Sequence, residues 1–360
     1  MDTIDILGVP CSYKLTPAVP NAPALVFIHG WLLSHHYWQP LIERLRDDFQ
    51  CLSYDLRGFG KSQLSLRSPT SIPSPESPDR PEEVQEWVGA SSRSAIEWDS
   101  SESSPGRPKA SLLLPQTHPS LPEEASPLEL PCCNRTAKPL HEWEVTSNYT
   151  AAAYARDLGV LLDQLEIETV WLVGHSLGGS IALWGAAQLA DRVRGVICLN
   201  AGGGIYLKEE FEKFRAAGQQ LIKYRPSWLC RFPLLDLFFC RANVAQRLDR
   251  HWGKQRILDF VTADPEAALG TLLDSTTEEE VHQLPCLVSH LKQPVYFITG
   301  TQDTIMEPRY VRHLASFHAS FGDCGENVIE LDQCGHLSML EQPDAVADHM
   351  RVLVQQHLTS

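Results

Sequence analysis

The chain has 360 residues, enough for one large domain or two small ones, with 43% hydrophobic and 21% charged residues. Its formal charge of −15, with no dense Lys/Arg cluster, argues against nucleic acid as a partner, because binding there relies on basic patches that neutralise phosphate. No apolar run is long enough to span a bilayer.

Along the chain, the first predicted strand is "ALVFIHG" (24–30), a short apolar run ending in glycine, and "CLSYDLRG" (51–58) is the second. "VWLVGH", "VRGVICLN", "PVYFITG" and "NVIELD" follow, with glycine or Asn/Asp at or just after their ends. Short Val/Ile-rich runs of this kind predict strands buried on both faces. Helical spacing of apolar residues lies between them, in "YTAAAYARDLGVLLDQL", "SIALWGAAQLADRV" and the closing "PDAVADHMRVLVQQHL". Strands alternating with helices predict βαβ units and a mostly parallel sheet with helices on both faces.

Two segments break the rhythm. Residues 64–146 hold 13 of the 25 prolines, with "SIPSPESPDRPEE" and "SSESSPGRPKA" among them. Such a composition buries too little apolar surface to offset the entropy of ordering, and the expectation is a disordered insertion. Residues 205–292 contain "YLKEEFEKFRAAGQQLIKY", "WLCRFPLLDLFFCRANVAQRL" and "PEAALGTLLDSTTEEEVHQL". They read as several helices inserted between two strands, hence a helical cap. The core is then expected from residues 1–63, 147–204 and 293–360.

"VGHSLGGS" places Ser176 between Gly174 and Gly178, after a strand and before a helix. This is the Gly-x-Ser-x-Gly pattern of a nucleophile on a sharp turn, where the glycines let neighbouring backbone pass close by. Without its context the pattern is weak, so the serine needs partners. His336, in "LDQCGHLSMLEQP", follows the last predicted strand and can act as base near neutral pH. Asp303, in "PVYFITGTQDTIMEP", also follows a strand and can orient the imidazole. The order Ser176, Asp303, His336 suits this triad type. The other position for the acid, at the end of "VRGVICLN", holds Asn200, which is neutral and a poor stabiliser of imidazolium. Backbone N–H groups of Leu177, after the serine, and Trp31, in "IHGW", are the expected oxyanion donors.

"FIHGW", "YDLRGFGKS", "GHSLGG", "ITGTQD" and "DQCGHLSMLEQP" together resemble the α/β-hydrolase superfamily, over most of residues 20–63, 147–204 and 293–358. The resemblance implies an α/β fold with a mostly parallel sheet and an inserted helical cap. It extends to the branch of small esterases, lipases, C–C bond hydrolases and cofactor-free haloperoxidases. More loosely, the cap and its junctions are similar to chlorophyll dephytylase-like hydrolases of photosynthetic organisms. The long segment after "GFGKS" departs from the family pattern.

Other motifs carry blander readings. "GFGKS" ends like a phosphate loop, but Asp55 stands where Walker A needs glycine. Asp55 and Arg57 are expected to order a buried turn, and His35 and His36 to be solvated. No His-Glu-x-x-His motif is present, so neither metal nor cofactor is expected. The ten cysteines form no Cys-x-x-Cys, and "MDTIDILGVP" lacks the basic end and apolar run of a signal peptide. A reducing, cytoplasmic setting follows as an expectation, and the sequons at Asn134 and Asn148 read as chance matches.

The function expected is cleavage of a carboxylic ester with an apolar acyl or alcohol part through an acyl-enzyme. The rivals are an acyltransferase or a C–C hydrolase on the same triad, and a catalytically silent binding protein. Trp228, Phe232, Phe238 and Phe239, from the cap, are the expected walls of the substrate pocket. The outer cap face is a candidate for peripheral membrane contact, although Arg231 and Asp236 interrupt its apolar run.

Overall fold

A computed structural model describes residues 1–63, 147–202 and 208–358. The expected insertion, 64–146, lies outside the described residues.

Among the described residues the sheet has eight strands: β1 (Asp2–Ile6), β2 (Val9–Leu15), β3 (Ala24–Ile28), β4 (Gln50–Tyr54), β5 (Val170–His175), β6 (Val193–Leu199), β7 (Val295–Gly300) and β8 (Val328–Leu331). Their spatial order is β1-β2-β4-β3-β5-β6-β7-β8. Only the β1–β2 and β2–β4 pairs are antiparallel; β4 through β8 pair in parallel. The mostly parallel sheet expected from sequence is present. The β1–β2 hairpin was not expected, and it extends one edge.

Every residue of β3 is buried, as a central parallel strand requires. Its side chains alternate between two cores, because strand side chains point to opposite faces. Val26 and Ile28 pack with α2 (Ala151–Gln164) and α3 (Leu177–Gln188), through residues such as Leu158 and Ile181. Leu25 and Phe27 pack on the other face with α1 (Gln39–Leu45) and α11 (Pro343–Gln356), through Leu41, Leu45 and Met350. Helices therefore cover both faces. The start of α2 is set by Thr150, whose side chain accepts a hydrogen bond from the Ala153 N–H at 3.1 Å.

Between β6 and β7 run α4 (Lys208–Lys223), α5 (Leu235–Phe239), α6 (Arg250–Thr262), α7 (Pro265–Ser275) and α8 (Glu278–His290). The apolar stretch around 228–248 was expected to be largely helical. It forms only a 3-10 turn, Ser227–Arg231, and the five-residue α5. Pro233 removes a backbone donor between them. Two short helices, α9 (Pro308–Ala315) and α10 (Ser338–Glu341), flank β8. No helix among the described residues is long and apolar enough to cross a membrane.

Candidate active site

β5 delivers Ser176 to a strained turn. Its φ of 52° and ψ of −120° lie where a residue with a side chain costs about 1–3 kcal/mol. The turn survives because its surroundings leave no alternative. The Ser176 N–H donates to the Leu199 carbonyl at 3.0 Å, and the Gly179 N–H donates back to the Ser176 carbonyl at 2.9 Å. The two flanking glycines are needed for close approach. A Cβ on Gly174 would run into the Gly178 carbonyl, and one on Gly178 into the carbonyl of Ile28 on β3.

His336 and Asp303 meet in the loops after β8 and β7. The His336 Nδ1–H donates to Asp303 Oδ2 at 2.8 Å, and both residues are buried. Asp303 Oδ1 accepts the N–H groups of Ile305 and Met306, each at 2.9 Å. Burial pushes the Asp303 carboxyl up, but His336 and these two N–H groups outweigh it and hold it below the ordinary carboxylate range. It is therefore a carboxylate when paired with the imidazole.

Two bracing residues escaped the sequence. Asn200, fully buried at the end of β6, donates from Nδ2 to Asp303 Oδ2 and to the Gly335 carbonyl, both at 3.0 Å. The position passed over as an acid is thus a support for the Asp303 carboxylate. Glu341 grips the His336 loop: its carboxylate accepts the N–H groups of Gly335 at 3.0 Å and Leu337 at 3.2 Å. It also accepts those of Ala245 at 2.7 Å and Gln246 at 3.0 Å, which ties the loop to the segment before α6. The His336 N–H donates to the Asn243 carbonyl at 2.9 Å in the same junction.

The loop after β3 abuts the turn. A Cβ on Gly30 would stand 3.3 Å from Ser176 Cβ, so the Gly30–Trp31 backbone passes beside the serine. His29 fixes this loop. Its Nδ1–H donates to the Gly30 carbonyl at 2.8 Å, and its Nε2 accepts the Leu56 N–H at 3.0 Å. Burial pulls the His29 pKa down to about 4, so the ring stays neutral and keeps one donor and one acceptor. Leu177 is the first residue of α3, so its N–H lacks an intrahelical partner. His175 is also buried, with its pKa pulled down to about 3 by burial, and its Nε2–H donates to the His336 carbonyl at 2.8 Å.

Ser176, His336, Trp31 and Leu177 all line one cavity of about 360 Å³. Its remaining walls come from the loop after β7, with Ile305 and Met306, and from the helices between β6 and β7, with Leu221, Arg256 and Leu272.

Trp228, Phe232, Phe238 and Phe239 are not brought to this cavity. Trp228, Phe232 and Phe238 are 56%, 53% and 65% exposed, and Phe239 packs part-buried against the core. On α5 it is Asp236, paired with Arg250, that is buried, while Phe238 is exposed; Trp228 and Phe232 lie on and just after the preceding 3-10 turn, none of whose residues is buried. The inner wall is supplied by α4, α6 and α7 instead. His35 also departs from expectation. It is 2% exposed, and its ring Nδ1 lies 2.8 Å from Asp55 Oδ1. Asp55 further accepts the His35 and Lys61 N–H groups, which closes the turn after β4. His36 is half-buried against His35. Arg57, expected to help order this turn, pairs with Asp157 at 3.2 Å.

The model of the alpha/beta hydrolase family matches residues 25–349. The chain belongs to this family. An uncharacterized protein of Mycobacterium tuberculosis is 29% identical over 223 residues, which are 56% of this chain and 60% of that protein. This chain thus spans 60% of that relative's length. A carbendazim hydrolyzing esterase of Nocardioides is 25% identical over 57% of this chain and 80% of its own. Among solved structures, a thermophilic esterase from Thermogutta terrifontis aligns with a TM-score of 0.59 at 18% identity, covering 99% of this chain and 97% of that one. A putative lipase from Acinetobacter baumannii aligns with a TM-score of 0.63 at 15% identity, covering 99% and 91%. At these identities the structural likeness concerns the α/β-hydrolase fold.

Proposed function

We propose that this α/β-hydrolase cleaves a carboxylic ester with an apolar acyl or alcohol part, through a covalent acyl-enzyme on Ser176. The observation that carries the reading is the pairing of His336 with Asp303 at 2.8 Å in a cavity that His336 shares with Ser176. With Nδ1 committed to the carboxylate, Nε2 is the nitrogen left to receive the serine proton. Ser176 Oγ attacks the ester carbonyl as His336 takes its proton. The N–H groups of Trp31 and Leu177 hold the negative oxygen. His336 then gives the proton to the leaving alcohol oxygen as the C–O bond breaks. Water, deprotonated by His336, attacks the acyl carbon, and the acid departs as Ser176 recovers its proton.

A relative named a carbendazim hydrolyzing esterase supports the ester reading, and a structural neighbour named a putative lipase shares its fold. The apolar preference is supported by the leucine, isoleucine and methionine walls of the cavity. In this reading α4–α8 act as a cap over the site. Outside it, Trp228, Phe232, Leu234 and Phe238 are exposed, with Trp228 against Phe232 and Arg231 between them in sequence, and we assign them to peripheral contact with a lipid surface.

The substrate reading is tested with p-nitrophenyl esters from acetate to laurate. kcat/KM is expected to rise with chain length by up to about 0.8 kcal/mol of transition-state binding per buried methylene, until the cavity is full. A steady fall from acetate onward rejects an apolar acyl pocket. Products formed with and without an added alcohol separate hydrolysis from acyl transfer.

A further inference from the structure

One side chain in the cavity is unused by ester cleavage. Arg256, on α6, lines it together with Ser176 and His336. Burial pulls the Arg256 pKa down from its ordinary value, so the cavity holds a guanidinium at some cost. Buried charge in proteins usually meets opposite charge. Among the described residues Arg256 makes no ion pair, and the cavity wall contains no Asp or Glu. Glu341, whose charge acts on it through space, is occupied by the backbone N–H groups of Gly335, Leu337, Ala245 and Gln246.

The guanidinium is held in place by two carbonyls and by the Phe239 ring, whose centroid is 5.6 Å from Cζ. Its Nη1 donates to the carbonyls of Phe239 at 2.5 Å and Ala242 at 2.7 Å. Among the described residues Nε and Nη2 make no hydrogen bond, and an edge of that shape matches the two oxygens of a carboxylate. The anchor also lies beside the His336 loop. Asn243, next to Ala242, lines the cavity and holds the His336 N–H through its carbonyl at 2.9 Å. A group docked on Arg256 is therefore close to the triad.

We propose that Arg256 is an anion-recognition residue, and that the substrate is an ester whose otherwise apolar body carries a carboxylate. The proposal rests on the ester reading above and narrows its substrate class. Mono-p-nitrophenyl glutarate and p-nitrophenyl pentanoate are compared, since they differ chiefly in the terminal charge. The ratio of their kcat/KM values is expected to favour the hemiester in the native protein. It should fall by about tenfold or more in Arg256→Gln and recover in part in Arg256→Lys. A ratio that is the same in all three proteins overturns the proposal, even if both esters are turned over.

Binding of free glutarate to the Ser176→Ala protein, followed by calorimetry, reads the same site without turnover. Glutarate is expected to bind, and to lose its binding when Arg256→Gln is added. No binding to Ser176→Ala overturns the proposal. Inorganic phosphate binding more tightly than glutarate overturns the carboxylate assignment. Failure of the ester reading looks different: neither ester is turned over, and Ser176 resists a fluorophosphonate.

Discussion

Asn200 Nδ2 stands 3.0 Å from Asp303 Oδ2, the same carboxylate oxygen that His336 Nδ1 meets at 2.8 Å. One oxygen therefore receives two donors, and Asn200 fixes the plane of the carboxylate that orients the imidazole. Asn200→Ala removes this brace without touching the serine or the histidine. The expected result is a fall in kcat of about tenfold with KM nearly unchanged, and an altered acid limb in the pH–rate profile. A variant with unaltered kcat and pH profile would contradict the bracing role.

Glu341 concentrates four backbone donors on one carboxylate. Glu341→Gln keeps the shape but replaces one acceptor oxygen with a donor that faces N–H groups. A loss of about 2 kcal/mol in stability is expected, together with lower activity, because the His336 loop loosens. Chemical denaturation and ester turnover measured on the same sample check both. Full activity in a destabilised variant would separate the loop's stability from its function.

The elbow is limited by backbone rather than by side chains. Gly178→Ala places a Cβ against the Ile28 carbonyl on β3, where no flexible group can yield. The variant is expected to lose more than about 3 kcal/mol of stability, or to fail to fold. A thermal melt superimposable on that of the native protein would show that the turn is looser than described.

Asp259 gives a pH signature. It is 4% exposed on α6, accepting hydrogen bonds from Ser34 and Gln255, and burial pushes its carboxyl up to about 7. The folded protein thus holds a proton that the unfolded chain releases above about pH 4. The stability this group contributes is fully present below that pH and is lost as pH rises toward 7, by about 1.4 kcal/mol per unit. Asp259→Asn removes the linkage, so its stability relative to the native protein should improve between pH 4.5 and 7. Urea denaturation at the two pH values reads the difference; a constant gap would refute the raised pKa.

What could be read from sequence depended on whether the signal was local. β3 to β8 were legible because each is a short apolar run with a stop residue at its end. β1 and β2 were not: half their residues are polar, and their turn uses Leu7 and Gly8, with φ of 51° and 87°, in place of the Asn-Gly that announces such hairpins. Ser176, Asp303 and His336 stood out because each follows a strand. Asn200 acts on a partner about a hundred residues away, and Glu341 joins such distant partners, Ala245 and Gln246, to its own loop, so no local pattern marks either role. In the aromatic stretch at 228–239, composition announced apolar surface but not its direction. The five residues of α5 and the five of the 3-10 turn before it are too few to show a helical period, so the rings were assigned to the cavity although three are exposed.

The most direct test of the catalytic claim is stoichiometric labelling with a fluorophosphonate, followed by peptide mass mapping in the native protein and in His336→Ala. One phosphonyl group per chain is expected on Ser176, with labelling slowed by orders of magnitude in His336→Ala and absent in Ser176→Ala. An adduct on another residue, or ester turnover that survives in a folded Ser176→Ala protein, would contradict it.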